Sequence, residues 1–246
     1  VVDASSDDAY DPLSNQTVTV TTTDDDTVGY TLSGTTVTVA ETGTTATFTV
    51  VLDTQPSTDV VLTVTSADTG EATVSPSTLT FTNGNWDSTQ TVTVTGIDDV
   101  ILDGPQDTTV TIAVDDGSSD NTYDDVADQT VTVTTSDDDS PGISIAQTEG
   151  STVVGENGSI DTFDAVLTTQ PLSDVVVSIS SADTGEATVS PSTLTFTDGN
   201  WDTTRTVIVT GVDDTIDDGN QDTTVTIAVV DASSDDAYDP LSNQTV

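Results

Sequence analysis

The chain has almost no positive charge: of 246 residues one is basic, Arg205, and none is histidine. Against it stand 44 acidic residues, giving a formal net charge of −43. The lysines and arginines that neutralise phosphates are missing, which argues against nucleic acid and anionic membranes as partners. Cysteine is also absent, so no disulfide staples the fold. No apolar run approaches the ~20 residues of a membrane span. Without histidine, cysteine or lysine, only carboxylate-pair chemistry such as glycoside hydrolysis is left to an enzyme, and catalysis is not expected. Aromatic residues are 4% of the chain, so its core has to be built from branched aliphatics, with Phe48, Phe81 and Trp86.

What the chain has instead is repetition. Residues 1–18, VVDASSDDAYDPLSNQTV, are identical to residues 229–246. Within that period lies a shorter one: SADTGEATVSPSTLTFT at 66–82 returns at 181–197, and QDTTVTIAV at 106–114 returns at 221–229. TVTVTTTDDD at 17–26 returns as TVTVTTSDDD at 130–139. Periods of 20–50 residues signal solenoids; a period of about 113–115 residues signals tandem whole domains. We therefore expect residues 1–23 to end a preceding repeat, 24–136 to form one repeat, and 137–246 to form a second that lacks most of its last strand. The opening VVDASSDDAY has the character of a loop, and the sequence reads as an internal stretch of a longer chain.

Most apolar segments alternate Val, Ile, Leu or Phe with Thr or Ser, the pattern of half-buried strands. Strand candidates in the first repeat are 28–40, 45–52, 59–66, 78–82, 89–96, 108–114 and 129–135, with Gly, Asp, Asn, Ser and Pro in the joints. Nothing carries a helical period. About seven short strands per repeat specify an all-β fold of tandem immunoglobulin-like β-sandwiches.

That topology gives the acids a place. When successive strands run antiparallel, the first, third and fifth joints and the end of the last strand share one pole. These supply Glu41, then Asp68, then Asp98, Asp99 and Asp103, and finally Asp137, Asp138 and Asp139. The matching set in the second repeat is Glu156, Asp183, Asp213, Asp214, Asp217 and Asp218, while Asp24, Asp25 and Asp26 close the repeat before the first. Disorder does not explain clustered acids on so regular a pattern, and adaptation to salt does not explain their convergence. Carboxylate oxygens without nitrogen or sulfur ligands suit a hard cation of flexible geometry, Ca²⁺.

The segments VTVAETGTTATFTVVL (37–52), SPSTLTFTNGNWDSTQTVTVTGIDD (75–99) and the closing TVTVTTSDDD together resemble the Calx-beta domain, in the tandem form found in very large bacterial surface and secreted proteins. The resemblance implies calcium at this pole, with Glu41 as the glutamate after the first strand, Asp98 and Asp99 as the aspartates of the GIDD segment, Asp103 as the acid that follows, and Asp137–Asp139 as the terminal run. It also implies an extracellular, calcium-rigidified spacer in a filament or adhesin, with neighbouring copies as partners. The alternative is a module that binds a glycan or a cell-surface partner through loops at the other pole, chiefly 115–129 and 231–244. Near-identical repetition favours the spacer, because a specific site needs presenting only a few times.

Overall fold

The computed structural model describes every residue except Val1, Val2, Ser6, Asp11, Pro12 and Asp218. The described chain forms two immunoglobulin-like β-sandwiches. In the first, the strands are β1 (Tyr30–Leu32), β2 (Thr36–Ala40), β3 (Thr45–Leu52), β4 (Val60–Ser66), β5 (Ala72–Ser75), β6 (Thr78–Phe81), β7 (Gln90–Gly96), β8 (Gln106–Val114) and β9 (Gln129–Ser136). In the second they are β10 (Ile143–Gln147), β11 (Ile160–Leu167), β12 (Val175–Ser181), β13 (Ala187–Ser190), β14 (Thr193–Phe196), β15 (Arg205–Gly211), β16 (Val225–Val229) and β17 (Gln244–Thr245). The sheets of the first sandwich run β1-β3-β7-β5 and β2-β9-β8-β4-β6; those of the second run β10-β11-β15-β13 and β14-β12-β16-β17.

Alternation decides which way each strand faces. Along β8, Thr108, Val110 and Ile112 are buried; along β9, Val131, Val133 and Thr135 are buried. Val92 and Val94 of β7 face them across the gap, with Phe48, Phe81 and Leu62 filling the centre. Trp86 packs against this core from its edge. The second core repeats the arrangement around Phe163, Phe196, Val207 and Ile227.

Two details depart from the strand pattern expected from sequence. The stretch 28–40 is not one strand: β1 pairs antiparallel with β3, whereas β2 crosses to the other sheet and pairs in parallel with β9, from Thr36 opposite Thr132 to Ala40 opposite Ser136. Ser33 and Gly34 supply the break between them. A four-residue strand, β5, also forms inside what reads as a joint, held by β7. With these, the first sandwich has nine strands among the described residues. In the second sandwich the counterpart of β2, residues 151–155, forms no strand; the segment reads STVVG where β2 reads TVTVA.

The parallel pairing of β2 positions the acidic pole. It sets Glu41 immediately after Ala40, with the Glu41 amide donating to the Ser136 carbonyl (3.1 Å), one residue before Asp137. Closure at this end depends on Gly96. A Cβ there would lie 2.2 Å from the Ala40 carbonyl oxygen, and Gly211 meets the Gly155 carbonyl at the same distance in the second sandwich. Backbone cannot yield as a side chain can. Gly96→Ala should therefore lower the unfolding free energy by about 1–3 kcal/mol, while Gly84→Ala, whose nearest neighbour is a threonine hydroxyl at 3.8 Å, should change it little. Denaturant unfolding of the two variants measures the difference; equal, small effects would show that the sheets do not close on Gly96.

Candidate metal centre

Four loops of the first sandwich meet at this pole. The turn after β2 brings Glu41; the β4–β5 joint brings Glu71; the β7–β8 joint brings Asp99 and Asp103; the segment leaving β9 brings Asp137 and Asp139. Carboxylate oxygens of Glu41, Asp99 and Asp139 all lie within 4.8 Å of one another. Glu41 is 1% exposed, as enclosed as the core valines.

Local hydrogen bonds shape each loop without neutralising it. Asp137 accepts from the Gly104 amide through Oδ2 (2.8 Å) and from the Asp139 amide through Oδ1 (2.7 Å), which folds the β9 exit back onto the β7–β8 joint. Asp99 Oδ1 accepts from the Ile101 amide (2.7 Å). The Glu71 carbonyl accepts from the Ile97 amide (2.9 Å). Yet four buried oxygens here, Glu41 Oε2, Glu71 Oε2, Asp103 Oδ1 and Asp139 Oδ2, accept no hydrogen bond. A buried, unpaired carboxylate oxygen is costly, and the sole basic residue, Arg205, sits on β15 in the other sandwich. Of the acids on these loops, Glu41, Asp99 and Asp139 lie close enough to share a cation, and the charges of Glu71 and Asp103 act on Glu41 from beside them. Oxygen donors without nitrogen or sulfur, drawn from separate and deformable loops, fit Ca²⁺ better than an octahedral Mg²⁺ or a soft metal.

Among the residues expected from sequence, the structure brings together Glu41, Asp99, Asp103, Asp137 and Asp139. It does not bring in Asp68, which is exposed and whose Oδ1 accepts from the Gly70 amide (2.9 Å) in a local turn. Asp98 and Asp138 are exposed. Glu71, three residues past Asp68, takes the inward place. Its signal was present: the chain has five glutamates, and Glu41, Glu71, Glu156 and Glu186 hold matching positions in the two repeats. In the second sandwich Glu156, Asp183, Asp213, Asp214 and Asp217 are exposed, and Asp218 lies outside the described residues. Asp183 and Asp214 are engaged by the local amides of Gly185 and Ile216. Asp24, Asp25 and Asp26 are exposed and far from Glu41 in the fold; Asp24 and Asp26 line a shallow cleft with Thr54, Ser57 and Asp120 at the opposite pole.

The same pole is the junction between the sandwiches. Within the joint that carries Asp99 and Asp103, the Leu102 amide donates to the Gln170 carbonyl (3.0 Å) and the Val100 carbonyl accepts from the Gln170 amide (2.7 Å). Ile101 bridges Gln170 in parallel, and Leu102 packs on the second core. The loop that carries Asp99 and Asp103 is thus held by both units.

No protein-family model matches the chain, and no characterised protein matches it by sequence. Among solved structures, it is similar to CBD12 from CALX1.2, at 16% identity over 81% of this chain and 79% of that chain, with a TM-score of 0.35. The calcium-binding domain CBD12 of CALX1.1 gives 14% over 82% and 79%, also with a TM-score of 0.35. Domains 4 and 5 of the S-layer protein SbsC give 22% over 75% and 68%, with a TM-score of 0.34. Likenesses of this size carry no argument about function, which rests on the geometry above.

Burial first, and then the charges of Asp137, Asp99, Glu71 and Asp103, push the Glu41 carboxyl from 4.5 up to about 7. Burial and neighbouring acids also raise Glu71, Asp103 and Asp139, with the Gln106 side chain partly opposing the rise at Asp103. A raised folded-state carboxyl binds more protons than its unfolded counterpart, so metal-free stability falls as pH rises between about 4.5 and about 7. Glu41 alone accounts for roughly 3 kcal/mol across that window. Asp120 acts oppositely, because hydrogen bonds led by the Ser57 hydroxyl hold its carboxyl below the usual range, but only below its ordinary 3.8. With a chelator present, unfolding free energy at pH 8 should be lower than at pH 5 by about that amount, and Glu41→Gln should remove most of the difference. A flat or rising profile would mean that Glu41 is not held among unneutralised carboxylates.

Proposed function

We propose that the chain is a structural, calcium-binding tandem repeat of an extracellular filament or cell-surface adhesin, a spacer that Ca²⁺ stiffens. The observation that carries this reading is the set of four unpartnered buried carboxylate oxygens on loops that also form the junction with the next sandwich. Glu41, Glu71, Asp99, Asp103 and Asp139 would hold the ion, while Asp137 fastens the loops around it. The resemblance of the 37–52, 75–99 and 130–139 segments to Calx-beta points the same way. The reading assigns no catalysis.

The anchoring acids of the loops at the opposite pole, Asp120 and Asp235, are engaged internally, which disfavours the glycan- or partner-binding alternative. Asp120 accepts from the Ser57 amide and hydroxyl, the Thr58 amide, and the Thr122 amide and hydroxyl. The Tyr123 hydroxyl, buried, donates to the Thr54 carbonyl (2.7 Å). Asp235 and Tyr238 repeat both anchors in the second sandwich. Asp120 and Asp235 engaged in this way each fix a long loop.

Extracellular calcium modules bind with dissociation constants of about 10⁻⁴–10⁻³ M. At about 10 mM Ca²⁺ and the tighter end of that range, mass action adds about 2.7 kcal/mol, a rise in melting temperature of roughly 10 °C. Glu71→Gln should reduce that rise sharply and Asp68→Asn should not. A parent melting curve indifferent to Ca²⁺ at constant ionic strength would end the calcium reading. The spacer reading has its own test: small-angle scattering should show a flexible pair of sandwiches in chelator and a stiff one in Ca²⁺. Changing Asp137, Asp138 and Asp139 together to Ser should abolish the stiffening and leave both sandwiches folded. A triple variant that stiffens like the parent would reduce the run to a solvated linker.

A further inference from the structure

Two asparagines of the chain precede a glycine, Asn83 and Asn157. Glycine has no side chain to screen its amide nitrogen, so that nitrogen can approach the preceding side chain closely. An asparagine so placed can lose ammonia, because the glycine nitrogen can attack Cγ and close a five-membered imide. The structure puts the two asparagines in different situations.

Asn83 lies in the β6–β7 joint, in the turn TNGNW of residues 82–86, and both it and Gly84 are exposed. The Asn83 carbonyl accepts from the Gln55 side chain (2.7 Å), but the Asn83 side-chain amide makes no hydrogen bond among the described residues. The Gly84 amide donates to the Thr82 hydroxyl (3.2 Å), and a Cβ at Gly84 would meet nothing beyond its chain neighbours closer than 3.8 Å. The nitrogen is uncrowded, and the carboxamide is free to turn onto it. Asn157 is exposed but engaged: its Oδ1 accepts from the Ser159 amide (3.2 Å), and the Gly158 amide donates to the Gly155 carbonyl (3.1 Å). Gly158 is also held in the left-handed region, at φ 78°. Ring closure there has to undo both bonds. Asn85 is withdrawn further, because its Oδ1 accepts from the Thr82 amide (2.6 Å) and hydroxyl (3.2 Å), and the bulky Trp86 follows it.

The second repeat shows what the product looks like. Residues 197–201 read TDGNW, the same turn with Asp198 in the place of Asn83. Its bonds are the same: the Thr197 amide donates to Asn200 Oδ1 (3.0 Å) and the Gly199 amide to the Thr197 hydroxyl (3.3 Å). Trp201 packs on the second core as Trp86 packs on the first. An aspartate therefore sits in this turn without altering it.

We propose that Asn83 is a site of spontaneous modification, at which the Gly84 nitrogen closes on the side chain and water opens the ring to aspartate or isoaspartate. The Gly84 nitrogen gives up its proton and bonds to Asn83 Cγ; the Cγ–Nδ2 bond breaks, and ammonia leaves with that proton. Water then splits one of the two imide carbon–nitrogen bonds. Splitting the bond to Cγ gives aspartate, the residue that the second repeat already carries. Splitting the bond to the main-chain carbonyl carbon gives isoaspartate, whose backbone runs through Cβ and Cγ and is one carbon longer. Water is consumed, ammonia is released, one carboxylate is added, and no oxidant or metal takes part. The longer backbone cannot keep the spacing from Thr82 to Asn85, so it loosens the turn that holds Trp86 and its carbonyl bond to the Leu52 amide (3.2 Å). The joint lies beside Gln55, at the pole away from the metal-facing acids, so the inference is independent of calcium.

The experiment is to age the full chain in warm, mildly alkaline buffer and weigh its peptides after digestion with pepsin, since the chain offers trypsin a single site. The peptide that contains Asn83 should gain one mass unit several-fold sooner than the peptide that contains Asn157, and protein isoaspartyl methyltransferase should label it. Gly84→Ala should slow the gain at Asn83 and leave Asn157 as it was. Asn83→Asp should melt like the parent, whereas the aged parent should melt lower as isoaspartate accumulates. No gain at Asn83, a gain no faster than at Asn157, or equal rates in the parent and Gly84→Ala overturns the proposal. An Asn83→Asp chain that melts well below the parent overturns the tolerated product.

Discussion

Everything at the acidic pole follows from one electrostatic constraint. Glu41, Glu71, Asp103 and Asp139 each bury an oxygen that accepts no hydrogen bond among the described residues, and the lone Arg205 is in the other sandwich. Protein cations do not answer these charges, because the one basic side chain stands on β15 of the other sandwich. The sheet architecture nonetheless forces the acids together: β2 runs parallel to β9, so Glu41 must end beside Asp137, and Gly96 lets the two sheets close over it. A fold that drives carboxylates inward without counter-charge loses stability as pH rises through their raised range. The same constraint explains why the site is also the joint. The β7–β8 loop that carries Asp99 and Asp103 is bonded to Gln170 of the next unit, so whatever holds the acids also holds the neighbouring sandwich.

The two sandwiches are a natural comparison, nearly the same sequence with and without a complete edge. With β9 in place, residues 36–40 form a strand and Glu41 is enclosed; with only β17, residues 151–155 stay irregular and Glu156 is exposed. The flanking residues change as well, from TVTVAE at 36–41 to STVVGE at 151–156, so partner and alternation together place the glutamate. In the first sandwich the parallel pairing of β2 with β9 ties the last strand to the turn that carries Glu41.

The sheet-forming content of the sequence was legible because threonine and valine alternate with so little interruption; burial along β8 and β9 follows that alternation residue by residue. The pole was legible because strand order alone sends alternate joints to one end. Two things were not. The division of 28–40 between two sheets depends on β9, ninety residues away, and no local period encodes it. The choice of Glu71 over Asp68 was hidden because both acids share one joint. What separates them is the backbone: Asp68 turns onto the Gly70 amide, while Glu71, next to β5, is carried inward with its carbonyl fixed by Ile97.

Amide hydrogen exchange with and without Ca²⁺ tests the central claim most directly, because it reports on each loop separately. Ca²⁺ should slow exchange at residues 41–44, 71–72, 97–104 and 137–139, and also at Gln170 in the adjoining sandwich, while the loop around Asp120 and Tyr123 at the far pole keeps its metal-free rates. Uniform slowing across both poles, or no change at these four segments, would contradict the account.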